Sequence, residues 1–519
     1  MSAASAKDTL SRNVVVSLAG RVIYLVTRLF LPPLILLHVS LDEYGIWACC
    51  FIVISYIGMS SFGVSNVYVR YAAEYQAKGQ LDRVGKLVAT GMVVVGSVCL
   101  LIIPAVWFAI PWLIRAFQIA PELAPTATWL FFGTVAVFMI DMTFGAFSDV
   151  LTGLQRITVT TTVWIVTSTG ETLVAIALLF FGLGIESLLI AFALRSIVAH
   201  LIEARYFFKA LPGVRIAPWH FDRSYVGIFG RYGSVVQVSG LLAMALRSIE
   251  KVIAGMTLGV SSTALFDVGE KLPMMATSVS SGVNGSLFPL ATYLHGQDKR
   301  DQLMKLYLKG SRYLHVITGL MCGFMAGFAP VLIAAWLGPD PMLHDAALIM
   351  VIFALPWHLN VVTGPASMLF RGLEQPKREL FYPISQAILV ALFVSVAFLV
   401  WGVSIETIAG SVAAAMVGSA LLYCAYANRH FGISQWDYLR TALMPGLAPY
   451  VTAALLALAS LPWIEWAASD RWRALMLTAG AGCAYTGVTL AVIWFLMTDW
   501  GEREYLRLQI AHTAKGMVR

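Results

Sequence analysis

The stretch GVSNVYVRYAAEYQAKGQLDRVGKLVATG, residues 63–91, returns as GVNGSLFPLATYLHGQDKRDQLMKLYLKG, residues 282–310. The two align without a gap at an offset of 219 residues (282 minus 63). Gly63/Gly282, Val64/Val283, Ala72/Ala291, Asp82/Asp301, Lys86/Lys305, Leu87/Leu306 and Gly91/Gly310 are identical. The same offset pairs Arg12 with Arg231 and Arg28 with Arg247. It also sets GAFSDVLTGLQ from Gly145 over GPASMLFRGLE from Gly364. One residue later, Ile185-Glu186 matches Ile405-Glu406. Chance produces single matches, but a nearly constant offset across four blocks predicts two copies of one unit.

The content of that unit follows from composition. Of 519 residues, 59% are apolar and only 12% are charged, with mean hydropathy +0.79. A soluble domain carries about 25% charged residues, so a soluble enzyme, a disordered chain and a secreted disulfide scaffold are excluded. The apolar runs are continuous over about 20 residues, which favours spanning helices over the alternating strands of a barrel. Counting them gives cores near 14–38, 45–69, 87–110, 127–152, 160–182, 185–208, 226–247, 258–291, 313–337, 346–370, 381–401, 405–427, 442–464 and 474–498. The expected fold is an all-α polytopic membrane protein of about fourteen transmembrane helices: two pseudo-twofold six-helix lobes plus two C-terminal helices.

Loop charge orients the chain. With the N-terminus inside, inner loops and tails hold Lys and Arg over outer loops by about five to one, a positive-inside signal. The expected organisation is a cytoplasmic tail at 1–13, an N-lobe at 14–210, a cytoplasmic linker at 211–225 and a C-lobe at 226–428. Helices 13 and 14 then lie at 429–498, and a second cytoplasmic tail at 499–519. The net charge of +7 is read as this loop bias rather than as a nucleic-acid surface, because no basic run is long enough for one. All six cysteines lie in apolar segments without metal or redox spacing.

Charge inside a membrane helix costs about 2.5–3.5 kcal/mol on insertion scales, so the exceptions are the candidates. Arg21 and Arg28 stand seven residues apart on one face of the first helix, with Tyr24 between them. They form either a cationic wall on a wet cavity for an anionic substrate or one side of a helix-to-helix ion pair. Helix 7 and its exit carry Arg231 and Arg247 in the second lobe, with Arg247 at the position that matches Arg28. Arg247 either faces the site between the repeats or snorkels to the interface. Lys271 joins this cationic set unless it only pairs with Asp267 at i, i+4. Asp141, Glu171 and Glu270 are candidates to carry H⁺ or Na⁺; Asp141 and Glu171 instead neutralise Arg195 or Arg21 in the alternative reading. His200, His315 and His358 read as packing residues. There is no Walker A loop, no GxSxG, no HExxH and no metal-spaced Cys/His set. The chain is therefore expected to be a transporter and not an enzyme, with no cofactor and no metal.

The opening, SRNVVVSLAGRVIYLVTRLFLPPLILLHVSLDEYGIWACCFIVISYIGMSSFGVSNVYVRYAAEY, resembles the start of the polysaccharide transporter family. These are the Wzx-like O-antigen and exopolysaccharide flippases of the multidrug/oligosaccharidyl-lipid/polysaccharide exporter superfamily. The marks are the basic N-terminal turn, EYGIW entering the second helix, FGVSNVYVRYAAEY leaving it, and GxxSxxxxGL leaving helices 4 and 10. The resemblance implies a multi-pass protein of the bacterial inner membrane with both termini cytoplasmic. It implies alternating access of two lobes that moves an undecaprenyl-diphosphate-linked oligosaccharide to the periplasmic leaflet for lipopolysaccharide or exopolysaccharide biosynthesis. Membrane lipid and the polysaccharide polymerase and export machinery are the implied partners, and Arg21, Arg28 and Arg247 fall where such proteins place cavity cations. The helix 1–2 signature of the lipid II flippase branch is missing. The competing expectations are a multidrug/cation antiporter of the same superfamily, disfavoured by the arginines, and a membrane polysaccharide polymerase or glycosyltransferase, disfavoured by the short outer loops.

Overall fold

The computed structural model describes residue 27 and residues 29–58, 64–229, 242 and 244–497. Every regular element among them is helical. Two compact units divide the chain, Met1–Ala264 and Leu265–Arg519. In the first, α1 (Leu41–Gly58), α2 (Val64–Ala77), α3 (Leu81–Ala116), α4 (Ala124–Phe144), α5 (Ala146–Gly153), α6 (Ile157–Phe180), α7 (Glu186–Ala210) and α8 (Ile249–Leu258) follow in order. Helix α9 (Val260–Met275) crosses the division. The second unit continues with α10 (Thr277–Gly296), α11 (Arg300–Leu337), α12 (His344–Gly372), α13 (Phe381–Trp401) and α14 (Ile405–Phe431). It closes with α15 (Met444–Ala459), α16 (Leu461–Ala468) and α17 (Arg471–Val492).

Among the described residues, eleven helical segments are long and apolar enough to cross a bilayer. The chain is an all-α, multi-pass membrane protein. Of the fourteen expected cores, the first and the seventh lie largely outside the described residues. The eighth, 258–291, is two consecutive helices, α9 and α10, separated where the Ala276 N–H turns back to the Pro273 carbonyl at 3.1 Å. The fourth core is likewise broken, at Gly145, into α4 and α5.

Backbone geometry repeats with the sequence. Left-handed backbone recurs in pairs at the joints between helices: Gly79 and Asp298, Gln118 and Gly338, Gln155 and Glu374, Gly182 and Gly402, Gly213 and Gly432. Each pair is separated by the offset of the sequence repeat or by one residue more. Non-glycine residues rarely adopt positive φ, so recurrence at Gln155 (φ 60°) and Glu374 (φ 59°) is a stringent sign that one chain path is used twice. Close approaches recur too. A Cβ on Gly153 would stand 2.5 Å from the Val69 carbonyl, and one on its counterpart Gly372 would stand 2.8 Å from the Ala291 Cβ. These two glycines are the final Gly of the GxxSxxxxGL motif; they let α5 and α12 pack tightly on α2 and α10, as small residues do between membrane helices.

Each unit has its own core. In the first, Val67, Tyr68, Val84, Leu87, Phe147, Val150 and Phe207 close α2, α3, α5 and α7 together. In the second, Leu303, Tyr307, Leu369, Phe370, Tyr423 and Phe431 do the same for α11, α12 and α14. The helices outside the repeat pack on α11 of this second unit, through Phe328, Val331, Ile464 and Ala474.

Candidate functional site

Five ionisable side chains of the first unit form one continuous network on α4, α6 and α7. Arg195, in the middle of α7, places Nη2 3.0 Å from Asp141 Oδ2 and Nε 3.4 Å from Glu171 Oε2. His200 places Nε2 2.8 Å from Asp141 Oδ1 and Nδ1 3.2 Å from Glu203 Oε2. Ser196 Oγ also donates to Asp141 Oδ1. The order is Glu171–Arg195–Asp141–His200–Glu203. Phe192 lies beneath the Arg195 guanidinium, 5.1 Å from ring centroid to Cζ.

Helical geometry brings these groups together. Arg195, Ser196, His200 and Glu203 share one broad face of α7, and the rise from Arg195 to Glu203 is about 12 Å. Asp141 comes from the end of α4 and Glu171 from the middle of α6, the two helices that pack beside α7. All five side chains are largely withdrawn from solvent. Within a bilayer such groups persist only when paired. The network holds three carboxylates against one guanidinium and one imidazole, so it has more acid than fixed base. That composition suits the uptake and release of a cation or proton. Asp149, on α5, accepts a 2.7 Å bond from Ser65 on α2.

The sequence candidates distribute as follows. Arg21, Tyr24, Arg28 and Arg231 lie outside the described residues. Arg247 is exposed, in a turn whose N–H bonds the Met244 carbonyl at 3.2 Å. Lys271 bonds Asp267 at 2.8 Å across one helical turn. Glu270 is buried on α9, and Glu250 and Lys251 are buried on α8. Asp141 and Glu171 flank Arg195. Sequence reasoning missed His200 and Glu203 as members of a site. The available signal was three charged or ionisable residues within nine positions of one apolar helix, 195, 200 and 203.

The second unit carries a different polar cluster. His315 Nδ1 lies 3.1 Å from His358 Nε2, and His358 Nδ1 lies 3.2 Å from Tyr450 Oη. The His358 and Tyr450 rings stack within 6° of parallel. Both histidines are fully buried, and Tyr450 Oη donates onward to the Ala354 carbonyl at 3.3 Å. This cluster joins α11 and α12 to α15. It contains no carboxylate and no guanidinium.

Comparison with known proteins places this geometry in context. Residues 10–295 match the family described as polysaccharide biosynthesis protein. No curated protein sequence matches the chain. Among solved structures, an inward-facing multidrug resistance MATE family transporter of the MOP superfamily is similar with TM-score 0.65 and 15% identity, over 80% of this chain and 98% of its own. A Vibrio cholerae MATE transporter is similar with TM-score 0.59 and 13% identity, over 84% and 99%. A MOP superfamily transporter from Pyrococcus furiosus, described by the reverse polarity of its binding pocket, is similar with TM-score 0.57 and 15% identity, over 82% and 96%. At these identities the likeness is one of fold.

Proposed function

The chain belongs to the polysaccharide biosynthesis protein family, and from that premise we propose that it is a flippase for a lipid-linked oligosaccharide. The substrate is an undecaprenyl-diphosphate-linked oligosaccharide, moved from the cytoplasmic to the periplasmic leaflet of the bacterial inner membrane. The family match is the observation that carries this reading; it spans more than half the chain and every arginine of the cationic set.

The mechanism follows from charge. In this reading Arg21, Arg28, Arg231, Arg247 and Lys271, with Tyr24, are the side chains that bind the anionic head group. Guanidinium groups bind a diphosphate through paired hydrogen bonds, so the head group crosses in water while the lipid tail stays in the bilayer. A MOP relative described by the reverse polarity of its pocket supports the idea that this fold accommodates either sign of cavity charge. The network around Asp141 and Glu171 supplies ion coupling with H⁺ or Na⁺. His200 faces a carboxylate through each ring nitrogen, so it passes a proton between Asp141 and Glu203 without moving far. Glu270 is the coupling candidate of the second lobe.

Export complementation tests the proposal. A strain lacking the protein is supplied with the wild type, Arg28→Ala or Arg247→Ala, and surface polymer and lipid-linked precursor are scored together. The arginine variants are expected to lose polymer and accumulate precursor on the inner leaflet while inserting normally. Unchanged polymer and precursor on deletion of the protein would overturn the reading. One observation favours a second reading: the acid-rich network fits a cation antiporter. Tight, proton-coupled binding of a cationic dye would select it.

A further inference from the structure

The segment between α7 and Tyr225 is sequence of a kind usually left as a connector, LPGVRIAPWHFDRSY. It is instead built into the first unit. Leu211, Val214 and Tyr225 are buried in the core beside Val84, Leu87 and Phe207. A Cβ on Gly85 would stand 3.0 Å from the Arg215 carbonyl, so the chain lies directly on α3 there. The Asp222 N–H donates to Thr90 Oγ1 at 3.0 Å, five residues further along the same helix. The segment thus lies along α3 over about 7.5 Å of helical rise. Its Pro218–His220 turn closes with a 2.9 Å bond from the His220 N–H to the Ala217 carbonyl.

This fixed strap exposes what a water-facing connector would hide. Trp219 is 82% exposed, Phe221 is 42% exposed, and Phe208 at the end of α7 is 46% exposed. Exposed among them are Lys209, Arg215 and Arg223. From 205 to 225 the sequence holds four Lys and Arg against a single carboxylate, Asp222. That carboxylate is engaged: it accepts from the Ser224 N–H at 3.0 Å and the Ser224 hydroxyl at 2.7 Å, and Lys86 lies 3.9 Å away. These Ser224 bonds, with Lys86 beside them, hold it below the usual carboxylate range, so it stays charged and tied within the strap.

An amphipathic indole ring rigidly presented at the end of a membrane span, among cations, matches the depth of lipid head groups. We infer that the 211–225 strap, with the last turn of α7, is a docking surface for anionic phospholipid head groups of the adjoining leaflet. Trp219 and Phe221 enter the head-group layer, and Lys209, Arg215 and Arg223 pair with lipid phosphates. Charge complementarity selects anionic over zwitterionic lipid, because each such cation contributes about a fivefold preference. The inference needs only that the chain spans a membrane, and holds whatever is transported.

Fluorescence in lipid nanodiscs tests it on the full-length protein. The difference between wild type and Trp219→Phe isolates the Trp219 emission from the other tryptophans. Nanodiscs contain phosphatidylcholine and phosphatidylglycerol, with bromine quencher on the acyl chains of one or the other. Trp219 is expected to be quenched about fivefold more effectively by brominated phosphatidylglycerol at equal mole fraction. Lys209→Gln with Arg215→Gln and Arg223→Gln is expected to remove that preference while quenching by phosphatidylcholine persists; all three positions are exposed, so the fold is retained. Equal quenching by the two lipids in the wild type would overturn the charge selection. Quenching of Trp219 by aqueous iodide but by neither lipid would overturn the docking surface itself.

Discussion

The faces formed by α4, α6 and α7 in the first unit and by α12, α13 and α14 in the second occupy equivalent places in the repeat, yet their chemistry is unlike. At the offset of 219, Asp141 becomes Asn360, and at 220, Arg195 becomes Ala415, His200 becomes Ala420 and Glu203 becomes Tyr423. The second face keeps polar contacts, but neutral ones: Asn360 Nδ2 donates to Tyr382 Oη at 2.7 Å, and Tyr423 Oη lies 3.0 Å from Ser367 Oγ. The turns and glycine contacts are duplicated while the charged network is not. Duplication preserved the scaffold, and among the described residues the α4–α6–α7 face bears an ionic network that the α12–α13–α14 face lacks at the matching positions. The second unit's own polar cluster, His315–His358–Tyr450, depends on α15, a helix outside the repeat; the counterparts of its two histidines in the first unit are Gly96 and Met139.

The largest expected effect breaks the charged side of this comparison. Arg195→Met leaves Asp141 and Glu171 without the cation between them. Removing one partner of a buried ionic network costs about 3–5 kcal/mol, so the thermal midpoint of the purified protein in detergent should fall steeply. Adding Asp141→Asn and Glu171→Gln to Arg195→Met should recover most of the loss, because it copies the uncharged side chains at the matching positions of the second unit. A small loss for the single variant would mean that water, not Arg195, neutralises those acids.

How much of this was legible beforehand divides along the same line. Apolar runs and the 219-residue offset suffice for the helical fold and its duplication, since both depend on local hydropathy and on matching residues. Pairing of Asp141 and Glu171 with Arg195 was legible as one of two alternatives, because buried acids need a base. The inclusion of His200 and Glu203 was not. It depends on how α7 is rotated against α4, and the ionisable residues of α7 (Glu186, Arg195, His200, Glu203, Arg205 and Lys209) spread round the helix, so no single amphipathic stripe reveals that rotation. The breaks at Gly145 and near Pro273 were hidden for a similar reason: hydropathy continues across them.

The next effect compares the two histidine clusters. His358→Phe removes the partner of His315 and one of the two contacts of Tyr450, whose hydroxyl still donates to the Ala354 carbonyl, which costs about 1–3 kcal/mol for the group left unpaired. His200→Gln should cost less, about 1–2 kcal/mol, because the amide still bonds one of the two carboxylates. Function should order them the other way. His200→Gln should abolish any dependence of transport on a proton gradient, measured in proteoliposomes, and His358→Phe should leave that dependence intact. If His358→Phe removes the gradient dependence and His200→Gln does not, the charged unit is structural and the neutral unit carries the coupling.

The smallest effect sharpens the duplicated side. Gln155 and Glu374 both hold left-handed backbone, both end a GxxSxxxxGL segment, and both are exposed. A side chain at that geometry costs about 1 kcal/mol relative to glycine, partly offset by the greater freedom glycine gives the unfolded chain. Gln155→Gly and Glu374→Gly should therefore each raise stability slightly, by about 0.5 kcal/mol, with the same sign. The reciprocal change at another repeated turn, Gly79→Asp, copies Asp298 and should lower stability by about 1 kcal/mol. Because neither Gln155 nor Glu374 belongs to a buried network, agreement between them measures the backbone alone. Opposite signs, read as shifts in thermal midpoint, would show that the two turns share dihedral angles without sharing energetics. The likeness of the two units would then extend to chain path but not to the forces that hold it.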